Sequence, residues 1–591
     1  VATRMALVGK LNDGEIIVVD SGSTDRTVAI AESAGAKILH HDFTTHARQW
    51  RWALDHTTPR YDWILGLDAD QRVTPELRAE IAAWFNPQSQ MPRAKYKIER
   101  RLNEPVDTGG VPVLRTTQAE YEVHARVRAV NAGGLGLIHE LVRQLGVARA
   151  VDERVDALKR HVPYHESDHV LALAYNLLAG GTCIEDLELR RKDAAFLDML
   201  GAQRIPDPTT AGDFCRRFTT KESIDALQSA WEEPRLRVWA EQPESFRDHA
   251  IIDADGTIAA TSGEKKDGMD LSYKGVWGYQ VLVVTLANTQ EVLSLDTRPG
   301  SRPSHEGAAD RLDQAVALVA RGGFRKITLR GDTDFSQTQH IDRWNEGGVE
   351  FVFGYDAREN LCEMAESLPD SAWRELERKD RYEIKTTPRA RRLNVKENIV
   401  RQRELLNIHL LQEMVAEFEY QPHACKTSYR MVVVRKLVTH ERGEAVLFPE
   451  FRYFFFITNK RDLDAKAVVE MANLRATQER TIDQLKNGVH ALRMPLDNLH
   501  SNWAYAVIAT LAWNLSRWLG LVLPETGRWA ERHAADKDAV QRMCFDTFVQ
   551  AFILIPAQVV STARRLVLRL LAWNPWQHVF FRALDAVRRL A

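Results

Sequence analysis

Apolar positions along this chain change period several times, and each change marks an element. The run Glu15 to Asp20 (EIIVVD) is apolar between two carboxylates. It is followed by Ser21-Gly22-Ser23-Thr24-Asp25 and then a helical repeat, which predicts strand, loop and helix. A second run, Trp63 to Leu67, ends in Asp68-Ala69-Asp70, and Thr74-Pro75-Glu76 supplies a cap and an N1 proline for another helix. From 91 to 250 the apolar spacing turns helical, predicting helices over Ile138 to Leu145, Ser167 to Leu178, Cys183 to Leu200 and Lys221 to Ala240. Strand patterns then return over Ala250 to Thr261, Trp277 to Leu286 and Glu291 to Asp296. A helix is expected from about Ala308 to Ala320 and a strand over Arg325 to Leu329. Further strand-like runs lie at Tyr429 to Val434 and Tyr453 to Thr458, and a proline-free helical repeat spans Val468 to Val489. The alternation of strands and helices predicts an α/β fold.

Composition narrows the class without naming it. At roughly 150 residues per domain, 591 residues make about four units, so one compact core is excluded. Charged residues at 27% and hydrophobic ones at 45% are ordinary for a folded globular chain. With Lys+Arg 79 against Asp+Glu 81, a nucleic-acid partner would have to be held by local basic patches. The cysteines Cys183, Cys215, Cys362, Cys425 and Cys544 never approach CxxC spacing, which argues against a disulfide framework or zinc knuckle and for a reducing cytoplasm. The longest charge-free apolar stretches, Ser501 to Ser516 and Thr547 to Ala563, fall short of the ~20 residues a bilayer needs, so no membrane span is expected. The N-terminus shows no clear secretory h-region, and its start at Val1 suggests a missing upstream piece.

Candidate chemistry concentrates on carboxylates. Period-two alternation puts Asp253 and Asp255 on one face of their strand, and the later strand runs into Arg330-Gly331-Asp332. Strand, strand, strand, helix, strand, with carboxylates on the first and last strands, is the order of a ribonuclease-H-like core. A third carboxylate is expected from the long helix, where Arg475, Glu479, Ile482 and Lys486 share one face at 3.6 residues per turn. Three converging carboxylates would bind two Mg2+ ions about 3.5–4 Å apart, as used for in-line displacement at phosphorus. Mn2+ would serve as a substitute. Between Asp332 and Glu479 lie 146 residues, room for an inserted β-containing domain, and Arg389, Arg391, Arg392, Lys396, Arg401 and Arg403 form a basic cluster there. Interleaved Glu397 and Glu404 leave an ordinary solvated face as the other reading of that cluster. His165 and His169, at i and i+4, lack a third ligand in the sequence and are read as cap and core residues rather than a zinc site. Pro206-Asp207-Pro208-Thr209-Thr210 reads as a capped helix start suited to a DNA-end reader. From 551 onward six arginines stand against Asp585 alone, a local +5 on apolar spacing that predicts basic amphipathic helices.

Two resemblances accompany these readings. VDSGSTD and WILGLDADQRVTPEL resemble family-2 glycosyltransferases of the lipopolysaccharide-core type over about residues 1–90. The resemblance implies a partial GT-A-like α/β fragment in which Asp20 faces the nucleotide base while Asp68 and Asp70 hold metal and sugar diphosphate. Gln71 stands where that family has an acid, and the acceptor half is absent. From Met91 onward the chain resembles DDE transposases of the thirteen-eighty group of bacterial insertion sequences, on PYHESDHVLALAYNLLAGGTCIEDLELRR, GAQRIPDPTTAGDFCRRF, IIDADGTIAAT, TLRGDTDF and QERTIDQLKNGVHALR. This implies Asp255, Asp332 and Glu479 as the catalytic triad, Asp255 being preferred to Asp253 because Gly256-Thr257 follows it. Arg475 and Lys486 fit the family's Arg-x3-Glu-x6-Lys pattern as phosphate contacts, with Ala472 where some relatives have tyrosine.

The resemblance further implies metal-dependent cleavage and strand transfer at terminal inverted repeats, a homodimer on DNA, and a nucleoid-associated cytoplasmic protein without a membrane partner. An insertion element landing in a glycosyltransferase reading frame would give this join. The expected division is a glycosyltransferase fragment over 1–90, a helical DNA-end-binding region over 91–245 and a catalytic core over 246–355 and 451–520. An insertion domain over 356–450 interrupts that core, and a basic helical region closes the chain over 521–591. Two alternatives are a sugar transferase working through the first segment and a decayed transposase that only binds DNA.

Overall fold

The computed structural model describes residues 17–20, 27–33, 37–40, 119, 121, 127–377, 395–403, 405–442, 445–446, 449–561, 565–571 and 574–590. The chain divides into two units, Val1–Glu120 with Tyr382–Ala390, and Tyr121–Arg381 with Arg391–Ala591. In the first, strands Ile17–Asp20 and Lys37–His40 pair in parallel around helix Thr27–Ser33, with Asp20 opposite His40. The strand and the helix are those expected of EIIVVD and the repeat that follows it, while the expected loop lies outside the described residues. The expected strand at Trp63 to Leu67, with Asp68 and Asp70, lies outside the described residues.

The second unit is organised by a mixed sheet of eleven strands. Its principal strands are β1 (His249–Ala260), β2 (Trp277–Leu286), β3 (Glu291–Pro299), β4 (Lys326–Gly331), β5 (Glu350–Tyr355), β6 (Leu406–Tyr420), β7 (Tyr429–Arg442) and β8 (Glu450–Thr458). Their order across the sheet is β3-β2-β1-β4-β5-β8-β7-β6. Within it β1, β4 and β5 run parallel, and the remaining neighbours are antiparallel. The β2 sequence, WGYQVLVVTL, is buried at every position after Trp277, so both its faces are covered and its apolar run is continuous rather than alternating. The strands expected of an inserted domain hydrogen-bond into this same sheet, because β8 pairs with β5 from Phe455 opposite Tyr355 to Thr458 opposite Val352.

Helix α1 (Ala308–Arg321) crosses from β3 to β4, α2 (Ala465–Asn473) and α3 (Ala476–Asp483) follow β8, and α4 (Leu499–Leu521) packs against the β3 edge. From Ser501 to Leu521 every α4 residue is buried. Its Asn514 accepts from Val292 N at 2.9 Å and donates to Val292 O at 3.0 Å, so a side chain completes the hydrogen bonding of an edge strand. That explains the long apolar stretch at Ser501 to Ser516, and among the described residues no helix is long and apolar enough to cross a membrane.

Four expected helices differ in the structure. Cys183 to Leu200 breaks before Ala194–Leu200 because Asp193 caps a new helix, its Oδ1 accepting from Ala195 N at 2.9 Å and Phe196 N at 3.1 Å. Lys221 to Ala240 divides into Lys221–Ser229 and Glu232–Ala240, which puts Pro234 in a first turn, where its missing N–H costs nothing. Val468 to Val489 is three pieces, α2, α3 and a π-helical turn Gln484–Gly488. Part of the basic C-terminal region is extended: Ala557–Ser561 and Leu566–Leu570 pair antiparallel, and helix Gln577–Arg588 follows. The β-branched Val559, Val560 and Val567 suit a pleated surface better than a helix.

Candidate active site

Parallel register brings the first two carboxylates together. Asp253 on β1 lies opposite Arg330 on β4, so Asp255, still within β1, and Asp332, just past the end of β4, each follow two residues further along neighbouring parallel strands. Asp253 itself is fully buried, and Arg330 grips it through Nε–Oδ1 and Nη2–Oδ2 contacts of 2.7 Å each. Both oxygens of Asp253 are thus engaged by one guanidinium, which leaves Asp255 the freer of the two strand acids. Asp255 keeps some exposure, its Oδ1 accepting from the Gly256 amide at 2.7 Å while Oδ2 lies 3.6 Å from Arg475 Nη2. Asp332 begins a short 3-10 turn, its Oδ1 accepting from Asp334 N at 3.0 Å and its Oδ2 lying 3.8 Å from the same Arg475 Nη2. A Cβ on Gly354 would come within 2.8 Å of Thr333 N and 3.0 Å of the Asp332 carbonyl carbon, so glycine is what lets β5 pass behind this turn.

The third carboxylate arrives from α3. Arg475 is the residue at the joint between α2 and α3, and Glu479, exposed, stands in the first turn of α3. Neighbouring Gln478 is 1% exposed and fastens this helix to β2, donating to Val283 O at 2.9 Å and accepting from the Thr285 hydroxyl. Gln478 went unremarked in the sequence, where one glutamine in QERTIDQLK carries no sign of its burial. Arg330 Nη1 donates to Met471 O at 2.9 Å, tying the end of α2 to the strand pair that carries both aspartates.

Burial pushes the Asp255 carboxyl up to about 6. Arg475 draws it down, Asp332 and Glu479 push it further up, and the Gly256 amide lowers it. Asp332 is also raised, mainly by burial and against the pull of Arg475. Lys486 is lowered by burial and by Lys274, with Asp483 and Asp255 opposing. Glu479 and Lys486 thus both lie within electrostatic reach of Asp255, although the helix breaks at Leu474-Arg475 and winds wide around Lys486. The three carboxylates do not close to the spacing of a shared ion. Among the described residues the group whose ligand atoms all lie within 4.8 Å of one another is His161, His165 and Glu166. Arg475 sits between the two aspartates, and its Nε is buried with no hydrogen-bond partner.

Lys274 belongs to a tight turn beside this cluster. Gly275 N donates to Ser272 O at 2.8 Å, Ser272 N donates to Val276 O at 2.9 Å, and Gly275 has φ +70°. Tyr273 in that turn is 77% exposed, Trp277 at its base 53%, and the Lys274 ammonium lies 5.3 Å from the Tyr273 ring.

Other expected residues are placed as follows. Asp207 caps helix Pro208–Arg216, its Oδ1 accepting from Thr210 N at 3.0 Å with Pro208 at the helix start, as the sequence indicates. His169 is a core residue whose ring stacks on Phe214 at 4.5 Å, and burial lowers it to about 4. Lys396 and Arg401 are exposed on helix Val395–Gln402, with Arg403 exposed just beyond it, and Arg401 lies 3.8 Å from Glu397. Arg389, Arg391 and Arg392 lie outside the described residues, as does the Asp20 side chain.

Comparison with known proteins adds two family matches. The family model described as transposase DDE domain group 1 matches residues 124–591, and that of glycosyl transferase family 2 matches residues 6–119, beyond the limit near 90 read from the motifs. Among curated proteins, an uncharacterized glycosyltransferase of Rickettsia bellii is 42% identical over 94 residues, 16% of this chain and 31% of that protein. A TPR repeat-containing protein of Synechococcus elongatus is 38% identical over 112 residues, 18% of this chain and 24% of that one. A Rickettsia felis glycosyltransferase is 41% identical over 85 residues, 14% of this chain and 29% of that protein. The chain therefore spans less than a third of the length of these curated relatives. Among solved structures, a piggyBac transposase synaptic complex with hairpin DNA aligns over 72% of this chain and 81% of that one, at 10% identity and a TM-score of 0.28.

Proposed function

The chain belongs to the group 1 DDE-domain transposases, and from that premise we propose that it cuts and rejoins DNA at the ends of an insertion sequence, using Asp255, Asp332 and Glu479. The carrying observation is that Asp255, on β1, and Asp332, just past the parallel neighbour β4, turn their Oδ2 atoms to one guanidinium nitrogen, with Glu479 on α3 within electrostatic reach of Asp255. The order β3-β2-β1-β4-β5, with β2 antiparallel to both neighbours, supports reading this part of the sheet as a ribonuclease-H-like core.

The donor set suits hard divalent cations. It is all carboxylate, and the half-buried Asp255 has a guanidinium no nearer than 3.6 Å, with no close ion pair to balance its charge. When bound, Mg2+ or Mn2+ would supply the positive charge that activates an attacking hydroxyl and stabilises the leaving oxygen. Asp255, Asp332 and Glu479 would hold those ions. Arg475, released from the aspartates, and Lys486 would neutralise phosphate charge on the reacting strand. Tyr273 and Trp277 would offer aromatic faces to bases at the cut end, with Lys274 on the adjoining phosphate. The Arg389, Arg391 and Arg392 cluster would grip DNA, and two copies would pair across two ends. Residues 6–119 are read as a vestigial nucleotide-sugar-binding segment.

The test uses the full chain and a plasmid carrying its gene with native flanking DNA, incubated with Mg2+ or Mn2+. The expected result is breaks at the element ends, lost in Asp332→Asn and Glu479→Gln by on the order of 10³-fold or more. Cleavage surviving Glu479→Gln removes the assignment. Sugar-nucleotide hydrolysis that depends on Asp68 or Asp70 would instead favour the glycosyltransferase reading.

A further inference from the structure

We propose that His161, His165 and Glu166 form a zinc-binding site, with three protein ligands and one open position, in the helical region that precedes the sheet. The inference is separate from the transposase reading and uses none of its residues.

The ligands come from one short stretch, His161-Val162-Pro163-Tyr164-His165-Glu166, where two histidines four apart are followed at once by a carboxylate. H-x3-H is a spacing used by zinc sites, and two imidazoles with a carboxylate are a ligand set of zinc centres that keep a fourth position for water or another ligand. The structure brings one ligand atom of each residue within 4.8 Å of the others. His161 Nε2 lies 3.5 Å from Glu166 Oε1, and the two imidazole rings are 5.1 Å apart.

The supports around these three residues are what a metal site needs. The Glu166 side chain is 2% exposed and is aimed by two backbone amides, Leu158 N at 3.0 Å and Ala157 N at 3.3 Å, both donating to Oε1. His165 is held through its own amide, which donates to Asp168 Oδ2 at 2.8 Å. Ser167 anchors the next step, donating from N and Oγ to Asp152 at 2.8 and 2.9 Å. The segment joining the histidines is clamped as well. Tyr164 meets His169 edge-on at 5.4 Å, and the Arg204 guanidinium lies 5.9 Å above the same tyrosine ring.

A buried carboxylate is costly unless its charge is met. Here the acid is interior while both imidazoles reach solvent, so an ion arriving from water meets the histidines first and seats against the glutamate. Mixed nitrogen and oxygen donors favour zinc over the magnesium class, which prefers oxygen alone. The site would pin the turn at Ala157-Leu158 and the His161 to Tyr164 segment onto the start of helix Glu166–Leu178.

The full chain, stripped with a chelator, is titrated with Zn2+ alone against a chromophoric competitor and separately with Co2+, whose visible absorption reports tetrahedral coordination. One equivalent of zinc is expected, with a rise in Tm, and His161→Ala and His165→Ala each weaken binding by at least about 10-fold, the loss already typical of an outer-shell partner. Because both histidines are exposed, these variants are expected to keep the native circular dichroism spectrum. An Asp255→Asn/Glu479→Gln chain is expected to bind the same equivalent, which separates this site from the acidic one. No zinc bound, or equal affinity in the His161→Ala/His165→Ala chain, overturns the proposal.

Discussion

Arg330 holds Asp253 through two parallel contacts of 2.7 Å and, with its remaining amino group, the Met471 carbonyl at 2.9 Å. One side chain thus joins β1 and β4, which carry or lead into the two aspartates, to the end of α2, the helix that precedes the Glu479-bearing α3.

Both partners are buried, so losing either leaves an uncompensated charge. Arg330→Met is expected to cost about 3–5 kcal/mol in urea denaturation. Asp253→Asn is expected to destabilise the chain yet leave measurable metal-dependent cleavage. Total loss of cleavage in an Asp253→Asn chain that remains folded would place Asp253 in the metal set.

Asp255 gives a pH signature. Burial lets it hold its proton in the fold up to about 6, while in the unfolded chain it ionises in the usual carboxylate range. Between those values the folded form binds more protons, so the contribution of Asp255 to stability falls as pH rises and stays unfavourable above the window. Its ionised form then weighs against the metal-free fold by on the order of 3 kcal/mol. Asp255→Asn is accordingly expected to raise Tm at neutral pH and to change little near pH 4. A Tm that is unchanged or lower at neutral pH would contradict the assigned direction.

Gln478 positions α3 and touches no reacting group. Breaking its links to Val283 and Thr285 by Gln478→Ala is expected to cost about 1–3 kcal/mol and to lower the cleavage rate at saturating DNA. DNA affinity in a filter-binding assay should hardly move. An affinity loss matching the rate loss would make it a binding residue instead.

The aromatic turn is testable through base stacking. Tyr273→Ala and Trp277→Ala are each expected to weaken binding of a DNA end with unpaired bases by about 1–3 kcal/mol, with Trp277→Phe largely restoring it. Fluorescence of 2-aminopurine placed at the end follows the same contact. Equal signals for wild-type and Tyr273→Ala chains would show that bases do not reach the turn.

Much of the catalytic half was legible in order and type. Apolar runs located β1, β2 and β4 within a residue or two, because a strand packed into a sheet interior is apolar over most of its length. The same logic failed for Val468 to Val489, since periodicity records neither a joint at Leu474-Arg475 nor a π turn that accommodates an extra residue before Lys486. It also merged helices around Asp193 and Pro234, where a cap and a missing N–H act locally.

By itself, then, the sequence determined the acidic residues, their strand and helix settings, and the family pattern around them, because these follow from short-range periodicity and residue chemistry. Only the tertiary structure decided which carboxylates are available. Parallel register delivered Arg330 to Asp253 and so took that acid out of reach, while Arg475 came to rest between Asp255 and Asp332. Pairing His161, rather than His169, with His165 was likewise a matter of packing: His169 is spent on the Phe214 ring, and a loop, not a helix face, carries the second imidazole. Charge neutralisation inside a protein is settled by which strands become neighbours, and linear spacing holds no record of that.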